Sequence, residues 1–132
     1  MAMILQNHYV LAVHDARAAA RFFVAGLGFR IVQEPQGWVF VAKDRCMVML
    51  GECPQDMRAS ELGCHGYFGY LQVDDVDGYY AEVVARGVEV MSGVADKPWG
   101  MRGFGVRTPE GHRITIGQVI VEERRGSGVT SE

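Results

Sequence analysis

The sequence predicts an α+β fold made of two tandem βαβββ units, and an internal repeat is the main reason. Residues 8–15 align with residues 68–75, and both segments alternate apolar and other side chains as strands do. Each segment ends in an aspartate, Asp15 or Asp75, which is placed to cap a following helix. The ends of the two repeats also match, with residues 38–51 facing residues 104–117.

The elements of the first unit follow in chain order from this pattern. Apolar residues recur at helical spacing after Asp15, and the Gly26-Leu27-Gly28 segment is suited to closing that helix. Short apolar segments separated by polar turns then predict three strands. The predicted elements are a strand over residues 8–14, a helix over 16–25, and strands over 29–32, 38–41 and 47–51.

The second unit repeats this order. Its helix carries Tyr79, Tyr80, Val83 and Val84, and Gly87 stands where a helix C-cap is expected. Six additional residues, compared with the first unit, fall between Met91 and Arg102, where we expect a lengthened loop. The predicted elements are a strand over residues 68–74, a helix over 76–85, and strands over 88–91, 104–107 and 113–117.

The repeat also predicts the domain organisation. A chain of 132 residues fits one compact domain, which we place at residues 1–120. Repeat one covers about residues 4–52, a polar linker covers 53–65, and repeat two covers about 66–118. Residues 121–132 are charged and rich in Gly and Ser, so we expect a flexible tail.

Composition limits the classes of function. The net charge is −3 and the basic residues are scattered, which disfavours nucleic-acid binding. The first residues lack the basic region and apolar stretch of a secretory signal, and no apolar run approaches membrane-spanning length, so we expect neither feature. The three cysteines, Cys46, Cys53 and Cys64, make an odd number without a C-x-x-C pair, which favours reduced thiols and a cytoplasmic location.

Three short motifs, together with the repeat, carry a family resemblance. They are Gly-Leu-Gly-Phe at residues 26–29, Trp-Gly-Met-Arg-Gly-Phe at 99–104 and Thr-Pro-Glu-Gly-His-Arg-Ile at 108–114. From about residue 4 to residue 118 the chain resembles the vicinal oxygen chelate superfamily, the glyoxalase/bleomycin resistance/dioxygenase type, and its bleomycin-resistance branch in particular. The resemblance implies curved mixed sheets that enclose a cup-shaped pocket, and a homodimer.

Catalytic members of that superfamily hold a divalent metal with ligands from the first and last strand of each unit. The corresponding positions here are His8, Met49, Phe68 and Thr115. Only His8 matches, because a thioether, a phenyl ring and a hydroxyl cannot replace the oxygen or imidazole ligands that such an ion requires. We therefore expect no metal and no other cofactor.

Alternation along the strands predicts what lines the cup instead. If His8 faces the pocket, side chains from four other strands do so too. Most of them are apolar or aromatic and a few are polar, and the lengthened loop adds a tryptophan and an arginine. Such a lining is typical of a small-molecule site. The expected ligand-binding residues are His8, Trp38, Phe40, Met49, Phe68, Tyr70, Trp99, Arg102 and Thr115.

Several of these residues have simpler explanations that the sequence leaves open. Trp38, Phe40, Met47 and Met49 can fill a collapsed core. His8 can be a hydrogen-bonded histidine of the core or the pocket. Trp99 can anchor a subunit interface, and Arg102 can pair with an acidic surface group. His14 and His112 occupy turn or strand-edge positions, where we expect solvated side chains.

The most favoured function is binding of a small aromatic or amphipathic molecule without a metal. The alternative is a metal-independent isomerase or lyase with His8 as the general base. A metal-dependent glyoxalase or extradiol-type dioxygenase is less favoured, and a purely structural or regulatory role is a further alternative. The expected partners are a small-molecule ligand and a second copy of the chain.

Overall fold

A computed structural model describes residues 2–120 and confirms the two tandem units. The predicted flexible tail, residues 121–132, lies outside the described residues. Two short 3₁₀ helices, Ala59–Glu61 and Gly63–Gly66, occupy the linker between the units. The main elements are β1 (Tyr9–Val13), α1 (Ala16–Leu27), β2 (Arg30–Gln33), β3 (Trp38–Lys43), β4 (Cys46–Glu52), β5 (Tyr67–Gln72), α2 (Val76–Ala85), β6 (Val90–Asp96), β7 (Met101–Arg107) and β8 (Arg113–Val119).

Each unit forms one four-stranded mixed sheet. The strand order is β1-β4-β3-β2 in the first sheet and β5-β8-β7-β6 in the second. The first strand of each unit pairs in parallel with the last, and the remaining pairs are antiparallel. The helix connects the first strand to the far edge of its own sheet, as a parallel crossover requires.

The two helices begin at the aspartates that the repeat predicted. The Asp15 carboxylate accepts a hydrogen bond from the Ala18 amide at 3.0 Å, and the Asp75 carboxylate accepts one from the Gly78 amide at 3.1 Å. Helix α1 continues two residues beyond its predicted end, to Leu27. Gly28 then ends it with a φ of 83°, a left-handed conformation that glycine adopts without strain.

The helix-facing sides of both sheets contribute to one hydrophobic core. Alternate residues of β1, β3 and β4 point into it, as do Phe104, Val106, Ile114 and Ile116 of the second sheet. Phe23 of α1 and Val83 of α2 are almost fully buried in the same cluster. Because the core is shared, each unit shields apolar surface of the other.

The additional residues of the second unit lengthen a hairpin instead of forming a loop. Strand β6 continues to Asp96 and β7 begins at Met101, so residues 97–100 alone form the turn. The predicted long loop is therefore wrong. Two irregularities in the β6–β7 register, around Ser92, absorb extra residues within the strand.

Within residues 2–120, neither helix combines the length and apolar character that crossing a membrane requires.

Candidate binding site

Each sheet has an outward face, defined here as the side opposite the helix and the shared core. On the first sheet this face is largely apolar. Val10, Met49 and Phe40 are consecutive cross-strand partners in one row, and Val10 is 63% exposed. Three apolar side chains thus lie side by side on the outward face, and two of them, Phe40 and Met49, are predicted site residues.

Trp38 extends the apolar surface of the first sheet. Its indole is 37% exposed and lies edge-to-face against the Phe40 ring, with 6.0 Å between the ring centroids. The indole also covers Gly51, where a Cβ atom would stand 2.9 Å from the ring. A side chain at position 51 would displace the indole, so this glycine permits the observed position of Trp38.

The outward face of the second sheet carries smaller side chains. Tyr70 of β5 is paired with Thr115 of β8, which is in turn paired with Gly105 of β7. The Tyr70 hydroxyl lies over Gly117, in the space that the Cβ atom of any other residue at position 117 would occupy. Tyr70 and Thr115, both predicted site residues, are thus neighbours on one surface.

Phe68 does not share that surface. Between Tyr67 and Gly69 the β5–β8 register shifts by one residue, and Phe68 is the additional residue of this bulge. Its ring packs against the core and stands edge-to-face to Tyr9 at 5.7 Å. The predicted strand alternation fails here, because a bulge reverses which side of the sheet a residue faces.

Arg102 lies in β7, on the same side as the buried residues Phe104 and Val106. Its guanidinium binds the Asp77 carboxylate of α2 at 2.9 Å and the Asp96 carboxylate at 2.8 Å. These contacts raise the pKa of the guanidinium, first through Asp77 and then through Asp96. The structure thus supports the simpler explanation of Arg102 that the sequence left open, pairing with acidic surface groups.

Trp99 and His8 lie at two other places. Trp99 is 67% exposed in the turn between β6 and β7. His8 is exposed just before β1, where it lines a cavity of about 640 Å³ together with Ala42 and Met47. The structure therefore brings Trp38, Phe40 and Met49 together on one sheet and Tyr70 and Thr115 on the other.

A cavity of about 350 Å³ lies at the seam between the two units. The sequence did not identify its aromatic residues, apart from Tyr70, because their proximity arises only when the units pack together. Burial, followed by the charge of Glu82, raises the pKa of the Tyr79 hydroxyl to about 12, and burial also raises the pKa of Tyr70. The principal lining residues are Tyr9, Phe29, Lys43, Met47, Tyr70, Gln72 and Tyr79.

His112 is buried instead of solvated, which corrects the prediction. It follows the β7–β8 turn, it is 7% exposed, and its ring stands edge-to-face to Phe68 at 6.2 Å. Its backbone amide donates a hydrogen bond to the Thr108 hydroxyl at 3.0 Å. Burial lowers the pKa of the His112 imidazole, since desolvation disfavours its charged form.

The residues at the four positions that the family resemblance assigns to a metal, His8, Met49, Phe68 and Thr115, do not fit a divalent ion. Met49 and Thr115 lie on the outward faces of different sheets, and Phe68 packs against the core. Neither a thioether nor a phenyl ring is a ligand for a hard or borderline cation. Within the described residues, no group of three or more His, Cys, Asp or Glu side chains is arranged to hold a metal ion.

Solved structures from several bacteria resemble this fold. A structure of TioX from Micromonospora sp. ML1 is 25% identical, with a TM-score of 0.68, and the match covers 89% of this chain and 98% of that one. The bleomycin-binding protein from bleomycin-producing Streptomyces verticillus, solved with copper(II)-bleomycin, is 22% identical with a TM-score of 0.69, covering 92% and 100%. A glyoxalase/bleomycin resistance protein/dioxygenase from Nocardioides is 18% identical with a TM-score of 0.70, covering 100% and 91%.

No protein of curated function matches the sequence of this chain. The family model described as Glyoxalase/Bleomycin resistance protein/Dioxygenase superfamily matches residues 5–116. That match extends from just before β1 into β8 and so includes both units and both outward faces. The chain therefore belongs to the Glyoxalase/Bleomycin resistance protein/Dioxygenase superfamily.

Proposed function

We propose that this protein binds a small aromatic or amphipathic molecule without a metal and carries out no chemistry on it. The apolar outward face of the first sheet carries the proposal. Trp38 and Val10 are exposed there beside Phe40 and Met49, and a contiguous exposed apolar surface indicates a place where something binds. The copper(II)-bleomycin bound by the Streptomyces verticillus protein supports a ligand of this general class.

Truncation of Trp38 tests the proposal. A panel of planar and amphipathic compounds is screened by thermal shift, and the affinity of each hit is measured by tryptophan fluorescence and calorimetry. Trp38→Ala should weaken binding by about 1–3 kcal/mol, the order expected for losing a buried aromatic contact. Thermal unfolding of the variant checks that it remains folded.

Val24→Ala is the matched control for Trp38→Ala. Val24 is 38% exposed, close to the exposure of Trp38, but it lies on α1, away from the outward face. Its truncation should leave affinity unchanged. Equal affinities of the wild type and Trp38→Ala for every hit would refute a site on this face. Trp99→Ala, measured in the same series, tests the predicted contribution of the hairpin turn.

We further propose that the protein is a homodimer. The N-terminal segment exposes the apolar side chains of Met3, Ile4 and Leu5, which lie outside the face proposed for the ligand. A symmetric pair can cover such surfaces in both copies at once. Light scattering should give twice the monomer mass of 14.6 kDa at micromolar concentration. A mass of 14.6 kDa under those conditions would contradict the proposal.

The alternative function, catalysis with His8 as a general base, can be distinguished from binding alone by whether a bound compound is converted. His8 is exposed, whereas a general base has to be positioned within hydrogen-bond reach of the proton that it removes. His8→Ala should therefore leave every hit unconverted, as in the wild type, and should alter affinity less than Trp38→Ala does. Turnover of a hit that disappears in His8→Ala would establish the enzymatic alternative.

A further inference from the structure

Two arginines on the outward face of the second sheet have no acidic partner among residues 2–120. Arg107 of β7 and Arg113 of β8 are direct cross-strand partners, and both side chains are half-buried. The ion pairs that the structure describes involve other cations. Like charges directly opposite each other destabilise a sheet, so the pairing of two arginines on one face calls for a compensating anion.

The hydrogen-bonding groups of these arginines are also incompletely used. The Nε atom of Arg107 is buried and has no hydrogen-bond partner, which is unfavourable for a charged donor. The Arg113 guanidinium lies over the Tyr67 ring, 5.5 Å from its centroid. A ring face attracts the cation but does not replace a hydrogen-bond acceptor for its N–H groups.

Space for an acceptor lies beside the arginines. Gly105 is two residues before Arg107 on the same face and stands between Thr115 and Ser92 in the sheet. A Cβ atom at Gly105 would meet no heavy atom closer than 3.9 Å, and the Ser92 hydroxyl would stand at 4.0 Å. Two hydroxyl-bearing residues therefore flank a position that no side chain fills.

We propose that this face binds the carboxylate of a small aromatic acid between Arg107 and Arg113, with the body of the acid over Gly105. The inference rests on the proposed function and names the chemical class of its ligand. A planar guanidinium matches a carboxylate with two parallel hydrogen bonds. Tyr67 and Tyr70, on β5 at the edge of the same face, offer aromatic surface to the ring of the ligand.

Arg102 shows by contrast why Arg107 and Arg113 take this role. Arg102 is the arginine among the predicted ligand-binding residues, but its guanidinium is already bound by the carboxylates of Asp77 and Asp96. Neither Arg107 nor Arg113 has a carboxylate bound to it among residues 2–120. Anion recognition thus falls to the pair on the outward face.

The experiment compares benzoate with benzamide, a neutral molecule of the same shape. Isotope-labelled protein is titrated with each while the Nε–H signal of Arg107 and the amide signals of Gly105 and Thr115 are followed by NMR. Benzoate should shift all three signals and benzamide should not. Arg107→Gln and Arg113→Gln should each weaken benzoate binding by about tenfold or more, the order expected for one charge-assisted hydrogen bond.

Two further variants serve as a charge control and as a test of the proposed ligand position. Arg21→Gln removes the same charge from the exposed surface of α1 and should leave benzoate affinity unchanged. Gly105→Ala adds a methyl group where the free protein has room, so its melting temperature should match the wild type. It should nevertheless weaken benzoate binding, since the methyl group occupies the proposed place of the ligand.

The outcomes separate this inference from the proposed function. Benzoate affinity that is unchanged in both arginine variants and in Gly105→Ala overturns the inference. A second result also overturns it: the protein does not bind benzoate, and the arginine variants dissociate a dimer. The acidic partner of the two arginines would then belong to a second copy of the chain. In either case, compounds whose binding depends on Trp38 would still support the proposed function. If no compound of the panel binds, both the proposed function and this inference are contradicted.

Discussion

His112 is the residue whose environment differs most from what its place in the sequence indicates. It lies at the end of the turn that connects β7 to β8, yet the turn packs against the first unit. In the same turn, the Glu110 carboxylate accepts hydrogen bonds from the His14 and Asp15 amides at 2.6 and 3.0 Å. The imidazole is thereby enclosed between the units, where the neutral form is favoured.

We expect acidification to destabilise the fold through His112. Burial lowers the pKa of the folded imidazole below its ordinary value of 6.5, so the unfolded state binds more protons between the two pKa values. Stability is therefore fully present above about pH 6.5 and is lost as the pH falls toward the lowered folded pKa. Chemical denaturation at a series of pH values from about 7.5 to 5 measures this decline.

His112→Gln provides the comparison, because glutamine is polar but does not titrate. The variant should lose less stability than the wild type over the same pH range, whatever its stability at neutral pH. His65→Gln, at an exposed position, should follow the wild-type profile. Parallel pH profiles for the wild type and His112→Gln would contradict a neutral buried imidazole.

Side-chain direction explains why some site residues were predictable and others were not. Alternation places Phe40, Met49, Tyr70 and Thr115 on outward faces, because their strands are regular at those positions. Phe68 departs from the pattern because a bulge inserts one residue into β5. Nothing in the amino-acid pattern marks that bulge, since the apolar side chain of Phe68 suits the core and the pocket equally well.

At the scale of elements, an ion-pair network fastens the β6–β7 hairpin to α2. Arg102 of β7 connects Asp96, at the end of β6, with Asp77, in the first turn of α2. The hairpin extends beyond the part of β7 that packs in the core, so these contacts hold its distal end. All three groups are solvent-accessible, and interactions of this kind weaken as salt screens them.

Asp77→Asn should lower the melting temperature modestly in low salt and hardly at all in high salt. The substitution removes one carboxylate from Arg102 and also removes a favourable negative charge near the N-terminus of α2. Thermal unfolding at about 10 mM and about 1 M NaCl measures the difference, since the screening length changes from about 30 Å to about 3 Å.

Asp74→Asn is the matched control for this change. It removes the same charge from an exposed position just before α2, outside the network of Arg102. A melting temperature that falls equally in Asp74→Asn and Asp77→Asn would indicate a general charge effect and not the ion pairs.

Elements with local signals were predicted more accurately than those without. Helix α2 has the predicted bounds, because Asp75 caps its start and Gly87, with a φ of 81°, follows its end. The sequence predicts a short strand over residues 88–91, with the additional residues in a loop after Met91. The structure continues the strand through them, since pairing with β7 supplies the backbone hydrogen bonds that a sequence pattern does not show.

For the whole molecule, contacts between the units matter as much as the repeat that relates them. The Tyr79 hydroxyl of α2 donates a buried hydrogen bond to the Leu27 carbonyl at the end of α1, at 2.6 Å. A Cβ atom at Gly26 of α1 would collide with Val88 of the second unit, at 2.7 Å. Internal similarity revealed two units in the sequence, but it carries no information about which surfaces of two similar units meet.

The shared core leads to the last prediction, that both units unfold together in one transition. Buried residues of both units form a single cluster, so the core of one unit is continuous with the core of the other. Calorimetry should therefore give one peak. After allowance for any dissociation of subunits, the van't Hoff and calorimetric enthalpies of that peak should agree.

Tyr79→Phe should lower the free energy of unfolding by about 1–3 kcal/mol, since it leaves the buried Leu27 carbonyl without its partner, and it should keep the single peak. Tyr80→Phe is the control, because the Tyr80 ring packs on Phe104 at 5.1 Å and phenylalanine preserves that contact. Two resolved peaks in the wild type would mean that each unit folds by itself, and the contacts at Leu27 and Val88 would then join two independently stable halves.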